Sequence, residues 1–401
     1  MDFLKKMFGR KPLPLKQQMV HELLRVAAQA GLKGQYDKDN FSVQFEGGGQ
    51  SYLENTWAIY QQAPEPNRRQ VLVDLVKSLL EASLSIPDDW EKARRKVLPK
   101  LRNRSYWTLF RERLAYISKN PAAKASLPPH QPLGDWFGVG LCYDLPSSIR
   151  DVEEEHLKSW GVTFEEALQV ALDNLALASA HNWGAPRQGL WQGPWDDAYG
   201  CCRLLLKDRL QGLKLPGQLI AAIPHRDTLL VAGSEDLKAV EQLLKLAEGE
   251  QHHPLSPVPL IYEGGQWLTY QPKGPLAAQV GRLRIIAAAR EYEEQKAYLD
   301  NDYEHNGQDV FVATFKVYQK ESGEFFSVAT WTAGVCADLP QADTIAVVQL
   351  ENQEAKMLGL VDWQAAWPVI GHRLRPSHEW PARYRVESFP SPEELAQLRF
   401  I

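Results

Sequence analysis

QLIAAIPHRDTLLVAG (218–233), EDLKAVEQLLKLAEG (235–249) and VPLIYEGGQWLTY (258–270) follow one another almost without interruption. Short apolar runs on either side of His225-Arg226 predict two strands joined by a turn. The middle segment carries apolar residues at helical spacing, which predicts an amphipathic helix. Gly264-Gly265 then supplies the bend of a further hairpin. Hairpin, helix and hairpin in this order predict an α+β fold built on small mixed or antiparallel sheets.

Upstream of this block, DWFGVGLCYDL (135–145) reads as a strand, and a helix follows over about 163–180, where Thr163 and Glu166 form a capping box. Between that helix and the first quoted strand lies a Trp/Gly/Pro loop, NWGAPRQGLWQGPWDD (182–197). Nearer the start, LKQQMVHELLRVAAQA (15–30) and RRQVLVDLVKSLLEAS (68–83) have the apolar spacing of helices. FSVQFEGGGQSYLENTWAIY (41–60) between them reads as a hairpin, with a Gly47–Gly49 turn and a second strand ending in Trp57, Ile59 and Tyr60. Downstream, VFVATFKVYQ (310–319), EFFSVATWTAGV (324–335) and TIAVVQL (344–350) read as three strands. Ser391 and Pro392 mark the N-cap and first turn of a last short helix. The expected organisation is multidomain: a helix-hairpin-helix module over 1–85, a Pro-interrupted basic and aromatic connector over 86–132, a central α+β module over 133–274, and a β-rich α+β module over 275–401.

A chain of 401 residues exceeds one ordinary core, and 44% apolar against 24% charged residues excludes disordered and fibrous classes. The net charge of -5 excludes a coat of nucleic acid over the whole chain while leaving local patches open. Four cysteines form no C-x-x-C pair, which fits a reducing, cytoplasmic setting. No apolar run approaches the length of a membrane span. No metal-ligand spacing and no phosphate loop are found, so no metal and no cofactor are expected.

Two constellations have the residue types that chemistry needs. In the first, Asp197, Tyr199 and Arg203 of WDDAYGCCRLLL precede His225, Arg226 and Asp227 of PHRD. A histidine beside carboxylates suits proton transfer, because its charge changes near neutrality and an acid can orient the ring. The competing reading is a hairpin turn in which short polar side chains bond the local backbone and Arg203 pairs with Asp197. In the second, residues 90–113 carry nine Lys/Arg against two Glu, with Trp90, Tyr106, Trp107 and Phe110 interleaved. Arg94, Arg95, Lys96, Arg102 and Arg104 are candidate phosphate contacts, with the aromatics as stacking faces. An acidic counterpart, with seven Asp/Glu over 290–309, is expected to meet this basic stretch. Its DNDYEH segment lacks the glycine of a calcium loop.

WDDAYGCCRLL, AIPHRDTLLVAG and SPVPLIYEGGQW, in this order, resemble the YtpQ-like family of bacterial proteins, over about residues 15–272. In that family a D-G-Y-D-A-S-R-like segment, a V-P-H-Q-D turn and an L-P-x-x-Y-E-D-G hairpin recur. Onto these fall Asp197, Tyr199 and Arg203; Pro224, His225 and Asp227; and Pro259, Tyr262, Glu263 and Gly265. The family's second aspartate falls at Gly200 here, and its glutamine at Arg226, which puts a catalytic use of the segment in doubt. The resemblance implies no established activity.

Thirteen tryptophans complete the picture, with Trp183, Trp191 and Trp195 in one loop. Aromatic side chains on loops are typical anchors of binding surfaces. The expected function is therefore non-enzymatic protein binding, as an adaptor, regulator or toxin-neutralising factor, using Tyr199, Arg203, Arg226, Tyr262, Glu263, Trp183, Trp191 and Trp195. The first alternative is a hydrolase with His225 as base, Asp227 or Asp197 orienting it, and Arg203 holding an anionic group. The second is nucleic-acid binding through residues 90–113.

Overall fold

The computed structural model describes residues 14–38, 40–46, 50–82, 85–120, 126–146, 148–180, 184–195, 197–249, 254–351 and 354–401. Contacts group into two compact units. One comprises Met1–Lys96 with Tyr143–Arg150, and the other Val97–Cys142 with Asp151–Ile401.

In the first unit, the helices Leu15–Gln29 and Arg68–Ala82 pack on a three-stranded antiparallel sheet, Gly34–Asp37, Ser42–Phe45 and Gln50–Tyr52. Met19, Leu23, Val43, Leu53, Leu72 and Val76 fill the core between them. The second arm of the expected hairpin stops at Tyr52, and Glu54–Gln62 is a helix. The alternation of Trp57 and Ile59 suggested a strand, yet the residues that face the core are Leu53, Trp57 and Tyr60, at helical steps of four and three. Ile59 is 51% exposed. The expected Gly47–Gly49 turn lies outside the described residues.

The second unit holds the block quoted first. Its five-stranded antiparallel sheet runs Gln266–Thr269, Leu260–Glu263, Leu219–Ala222, Leu230–Gly233, Leu190–Gln192 across. The helix Leu237–Glu248 lays Val240, Leu243 and Leu244 on Ile220, Ala222, Leu230 and Ala232 of that sheet. The expected fold class, α+β with small antiparallel or mixed sheets and a strand-rich C-terminal region, is what the chain forms. Thr163 and Glu166 make the expected capping box, and Ser391 caps the last helix.

Residues 97–103 do not wrap as a connector: they form a strand with Val97 and Leu101 fully buried. Trp107, just beyond, crosses the backbone of Gly138 and Gly140, where an added Cβ would lie 2.5 Å from its ring. The two glycines of DWFGVGL are therefore the floor on which an indole is stacked, against His130 at 4.8 Å between ring centroids.

All of the acidic run 290–309 except its last four residues falls in a 31-residue helix, Pro275–His305. This long helix shares Leu276, Val280 and Leu283 with the core of the five-stranded sheet. Further along it, Glu291 accepts hydrogen bonds from Asn103 and Ser105, so the acidic and basic stretches do meet within the chain. Beyond the helix come two four-stranded mixed sheets. One runs Lys316–Gln319, Phe325–Thr332, Thr344–Glu351, Glu354–Asp362, and the other Phe311–Val312, Ala337–Pro340, Arg383–Val386, Arg375–Pro376. Phe311–Val312 and Lys316–Gln319, expected as one strand, thus belong to different sheets. Arg383, fully buried, ties the long helix to this region by donating to Gln295 Oε1, to the carbonyls of Ala313 and Asp338, and to that of Tyr292.

Candidate functional site

The central polar cluster forms around two turns. Arg203, on the short 3-10 turn Cys201–Leu205, is fully buried and bonds both oxygens of Asp197 at 2.9 and 2.6 Å. Its Nε donates to Ser179 Oγ at 2.7 Å, and Trp195 covers its guanidinium at 4.1 Å. Burial pulls the Asp197 carboxyl upward, but the hydrogen bonds and charge of Arg203 outweigh it and hold the group below its ordinary value. Tyr199 is buried, its amide held by Asp197 Oδ1 and its hydroxyl 3.8 Å from Cys142 Sγ.

The 225–228 turn lies alongside, joined where the Cys201 amide donates to the Arg226 carbonyl at 2.9 Å. His225 Nδ1 accepts the Asp227 amide at 3.3 Å, and Nε2 lies 2.6 Å from Thr228 Oγ1. An accepting Nδ1 makes Nε2 the protonated nitrogen, donating to Thr228. Both ring nitrogens are thus engaged inside the turn, and the Asp227 carboxylate stands off at 3.9 Å. Arg226 Nε is 3.6 Å from that same carboxylate. This is the turn geometry, and it leaves His225 without the free nitrogen a general base needs.

The crossing of the two turns accounts for a glycine at position 200. A Cβ there would stand 2.2 Å from the Asp227 carbonyl oxygen, so the crossing of the two turns has no room for an aspartate. Gly200→Asp is expected to lower stability by about 2 kcal/mol, the cost of forcing a packed backbone apart, and to create no activity. A thermal melt no lower than wild type would contradict this.

The other expected partner-binding residues do not form one patch. Tyr262 and Glu263 lie at one side of the five-stranded sheet, with Tyr262 against Trp267, whereas Trp191 lies on the strand at the opposite edge and is 1% exposed. Trp195 is half-buried over Arg203. These two indoles wedge the loop onto the fold instead of standing out from it. Trp183 lies outside the described residues. Of the basic candidates, Arg94, Arg95 and Lys96 belong to the first unit, and Arg102 and Arg104 to the second. Trp107, expected as a stacking face, is 1% exposed and unavailable to a base.

What sequence reasoning missed is a cleft of about 720 Å³ in the second unit. One wall is a stripe of the long helix, Gly281, Arg284, Ile285, Ala288 and Tyr292, whose spacing puts them on one face. The others come from the turn bearing Asp135 and Trp136, and from C-terminal segments bearing Asp343, Trp380 and, where the strand Glu354–Asp362 passes into the helix Trp363–Ile370, Asp362-Trp363. Trp136 and Trp380 meet edge to face at 5.2 Å, and Trp136 and Trp363 are buried. The Tyr292 hydroxyl fixes one end, donating to the Ala382 carbonyl at 2.7 Å and accepting from the Gln341 amide at 3.1 Å.

Three exposed carboxylates line this cleft, each anchored by a neighbour. Asp135 Oδ2 accepts from Thr269 Oγ1 at 2.6 Å, Asp343 Oδ2 from the amide and hydroxyl of Ser327 at 2.8 and 2.6 Å, and Asp362 Oδ1 from the Ala365 amide at 2.8 Å. The remaining oxygen of each has no protein partner among the described residues. Arg284 is the lining residue of opposite charge, so the cleft carries a surplus of two negative charges. Fixed carboxylates in a cleft also lined by indoles are suited to hold a cation, since both the charge and the ring quadrupole attract it. The signal available in the sequence was the scatter of tryptophans over loops, though those that matter are Trp136, Trp363 and Trp380.

No family profile and no solved structure match this chain. Among curated proteins it is similar to a UPF0354 protein of Listeria innocua, 28% identical over 137 residues, which is 32% of this chain and 51% of that protein. A UPF0354 protein of Listeria monocytogenes serotype 4b is 29% identical over 132 residues, 31% of this chain and 49% of that protein. The chain spans about half the length of the curated relatives it matches.

Proposed function

We propose that this protein works by capturing a partner protein, as an adaptor, regulator or toxin-neutralising factor, and that the cleft beneath the helix Pro275–His305 holds a cationic segment of that partner. One arrangement carries the reading: Asp135, Asp343 and Asp362, each fixed through one oxygen and unpartnered at the other, beside the rings of Trp136, Trp363 and Trp380. Carboxylates already held in place spend little further entropy on binding, which is how preorganised sites gain affinity. The hydrolase alternative draws less support, because His225 is satisfied within its own turn. Kinship with the YtpQ-like group and a cytoplasmic location accompany this proposal. Four free cysteines, three of them buried, accord with a reducing compartment.

The test exploits the anchoring bonds. Asparagine in place of Asp135, Asp343 and Asp362 keeps one oxygen for each set of anchoring bonds and removes three charges, so the fold is expected to survive. A stoichiometric protein captured by wild type from native lysate is expected to bind the triple variant at least about tenfold more weakly, with affinity that falls as salt rises. Equal capture by both would remove the cleft from the interface. A co-purifying small molecule with no protein would end the partner reading.

A further inference from the structure

A second concavity, about 110 Å³, lies in the same unit and is built from the basic stretch itself. Arg102 and Asn103 come from the end of the strand Val97–Asn103, Ser105 and Tyr106 from the short helix Arg104–Thr108, and Arg113 from the helix Phe110–Ser118. The long helix contributes Arg290, Glu294 and Tyr298, and Pro254-Leu255 closes the side.

The charges around this hollow do not balance. Arg290 lies 3.6 Å from Glu294 and is thereby paired. Arg102 donates to the Leu101 carbonyl, and Arg113 lies over the Tyr106 ring at 4.7 Å. Neither has an acidic partner among the described residues. Behind the wall, the Asp151 carboxylate is taken by Lys100 and by the Tyr106 hydroxyl, and Glu291 by Asn103 and Ser105. Two half-buried guanidinium groups thus line the hollow in addition to the Arg290–Glu294 pair, and no further carboxylate in its lining is left to neutralise them. Partly desolvated positive charges lining one hollow favour an anion in it.

We infer that this hollow is a phosphate-binding site, which takes the phosphate group of inorganic phosphate or of a small phosphate monoester between Arg102, Arg113 and Arg290. Planar guanidinium forks match tetrahedral oxyanions bidentately, and the hydroxyl of Tyr298 adds a neutral donor. The volume admits one phosphate group and excludes a base, so whatever the phosphate is attached to stays outside. Residues 94–96, on the other unit, take no part.

Isothermal titration calorimetry on the full chain tests this with inorganic phosphate, glycerol 3-phosphate and a single-stranded oligothymidine lacking terminal phosphate. Wild type is expected to bind at least one of the two phosphates saturably, the better of them identifying the source. Arg113→Gln and, separately, the more exposed Arg290→Gln are expected to weaken that binding at least tenfold. A triple Arg94→Gln/Arg95→Gln/Lys96→Gln variant is expected to bind as wild type does. Binding equal in all variants, no saturable binding of either phosphate, or binding of the oligonucleotide alone would each overturn the assignment. Circular dichroism on each variant confirms that the loss is read on folded protein, and Arg290→Gln decides the matter if Arg113→Gln does not fold.

Discussion

Asp197→Ala is expected to lower the unfolding free energy by about 3 kcal/mol, because it strands a guanidinium that has no access to water. Arg203 is 0% exposed, and both terminal nitrogens end on Asp197. Breaking a fully buried pair costs about 3–5 kcal/mol, and the lower end applies because the Asp197 side chain is 40% exposed and its loss lets some water reach the site. The Ser179 hydroxyl and the Trp195 ring remain as weak compensation. His225→Ala makes the contrast: its bonds are those of one turn, so about 1 kcal/mol is expected. Denaturant unfolding followed by tryptophan fluorescence reads both, with Trp195 resting on the arginine as a local reporter. The sign in acid follows from the depressed carboxyl. Its contribution is present above the ordinary aspartate value and lost as pH falls through the lower value in the fold, and Asp197→Ala should lose that limb of the profile. If the two variants cost the same, Arg203 is not dependent on Asp197 and the turn is not organised around this pair.

The same pair shows what could be read in the sequence. Strand, turn, strand, helix and hairpin over 218–270 are legible because each element is short, apolar on the buried side and bounded by polar or glycine residues. Pairing of Arg203 with Asp197 was legible as the local alternative to chemistry. The long helix was not, for a physical reason. Its buried residues run Val280, Leu283, Ala287, Glu291, Gln295, Leu299 and Tyr303, at helical steps throughout. Glu291 and Gln295 occupy core positions and are satisfied by Asn103, Ser105 and Arg383, residues far away in sequence. An apolar periodicity cannot register a polar residue whose partner is supplied by the tertiary fold. The cleft was hidden for a related reason: Asp135, Asp343 and Asp362 are unremarkable carboxylates until three separate segments bring them to one cleft. Trp107 shows the converse, since an aromatic among basic residues looked like a stacking face until Gly138 and Gly140 gave it a bed.

Glu291→Gln is expected to make the protein more stable than wild type at pH 8 and little different at pH 5. Glu291 is 3% exposed, and burial, with a smaller contribution from Glu294, raises its carboxyl to about 7 against the hydrogen bonds from Ser105 and Asn103. A carboxyl raised in the fold stabilises the folded state while protonated. That contribution is complete below the ordinary value of 4.5 and is lost as pH rises through about 7. At about 1.4 kcal/mol for each tenfold change in proton concentration, the loss reaches about 3 kcal/mol as an upper bound. Glutamine reproduces the protonated group: its oxygen accepts from Asn103, and its amide can donate to the Ser105 hydroxyl in place of accepting from it. The difference between variant and wild type, measured by denaturant unfolding at several pH values, cancels every other titrating group and isolates this one. A difference that grows from pH 5 to pH 8 is the expected result. Parallel profiles would mean that the carboxyl is ionised throughout and that Asn103 and Ser105 hold it as an anion. The meeting of the acidic helix with the basic strand would then be electrostatic. Below about pH 7, where the protonated form prevails, it is a contact of hydrogen bonds, and the positive charge of Arg102 and Arg113 stays uncancelled for a ligand to use.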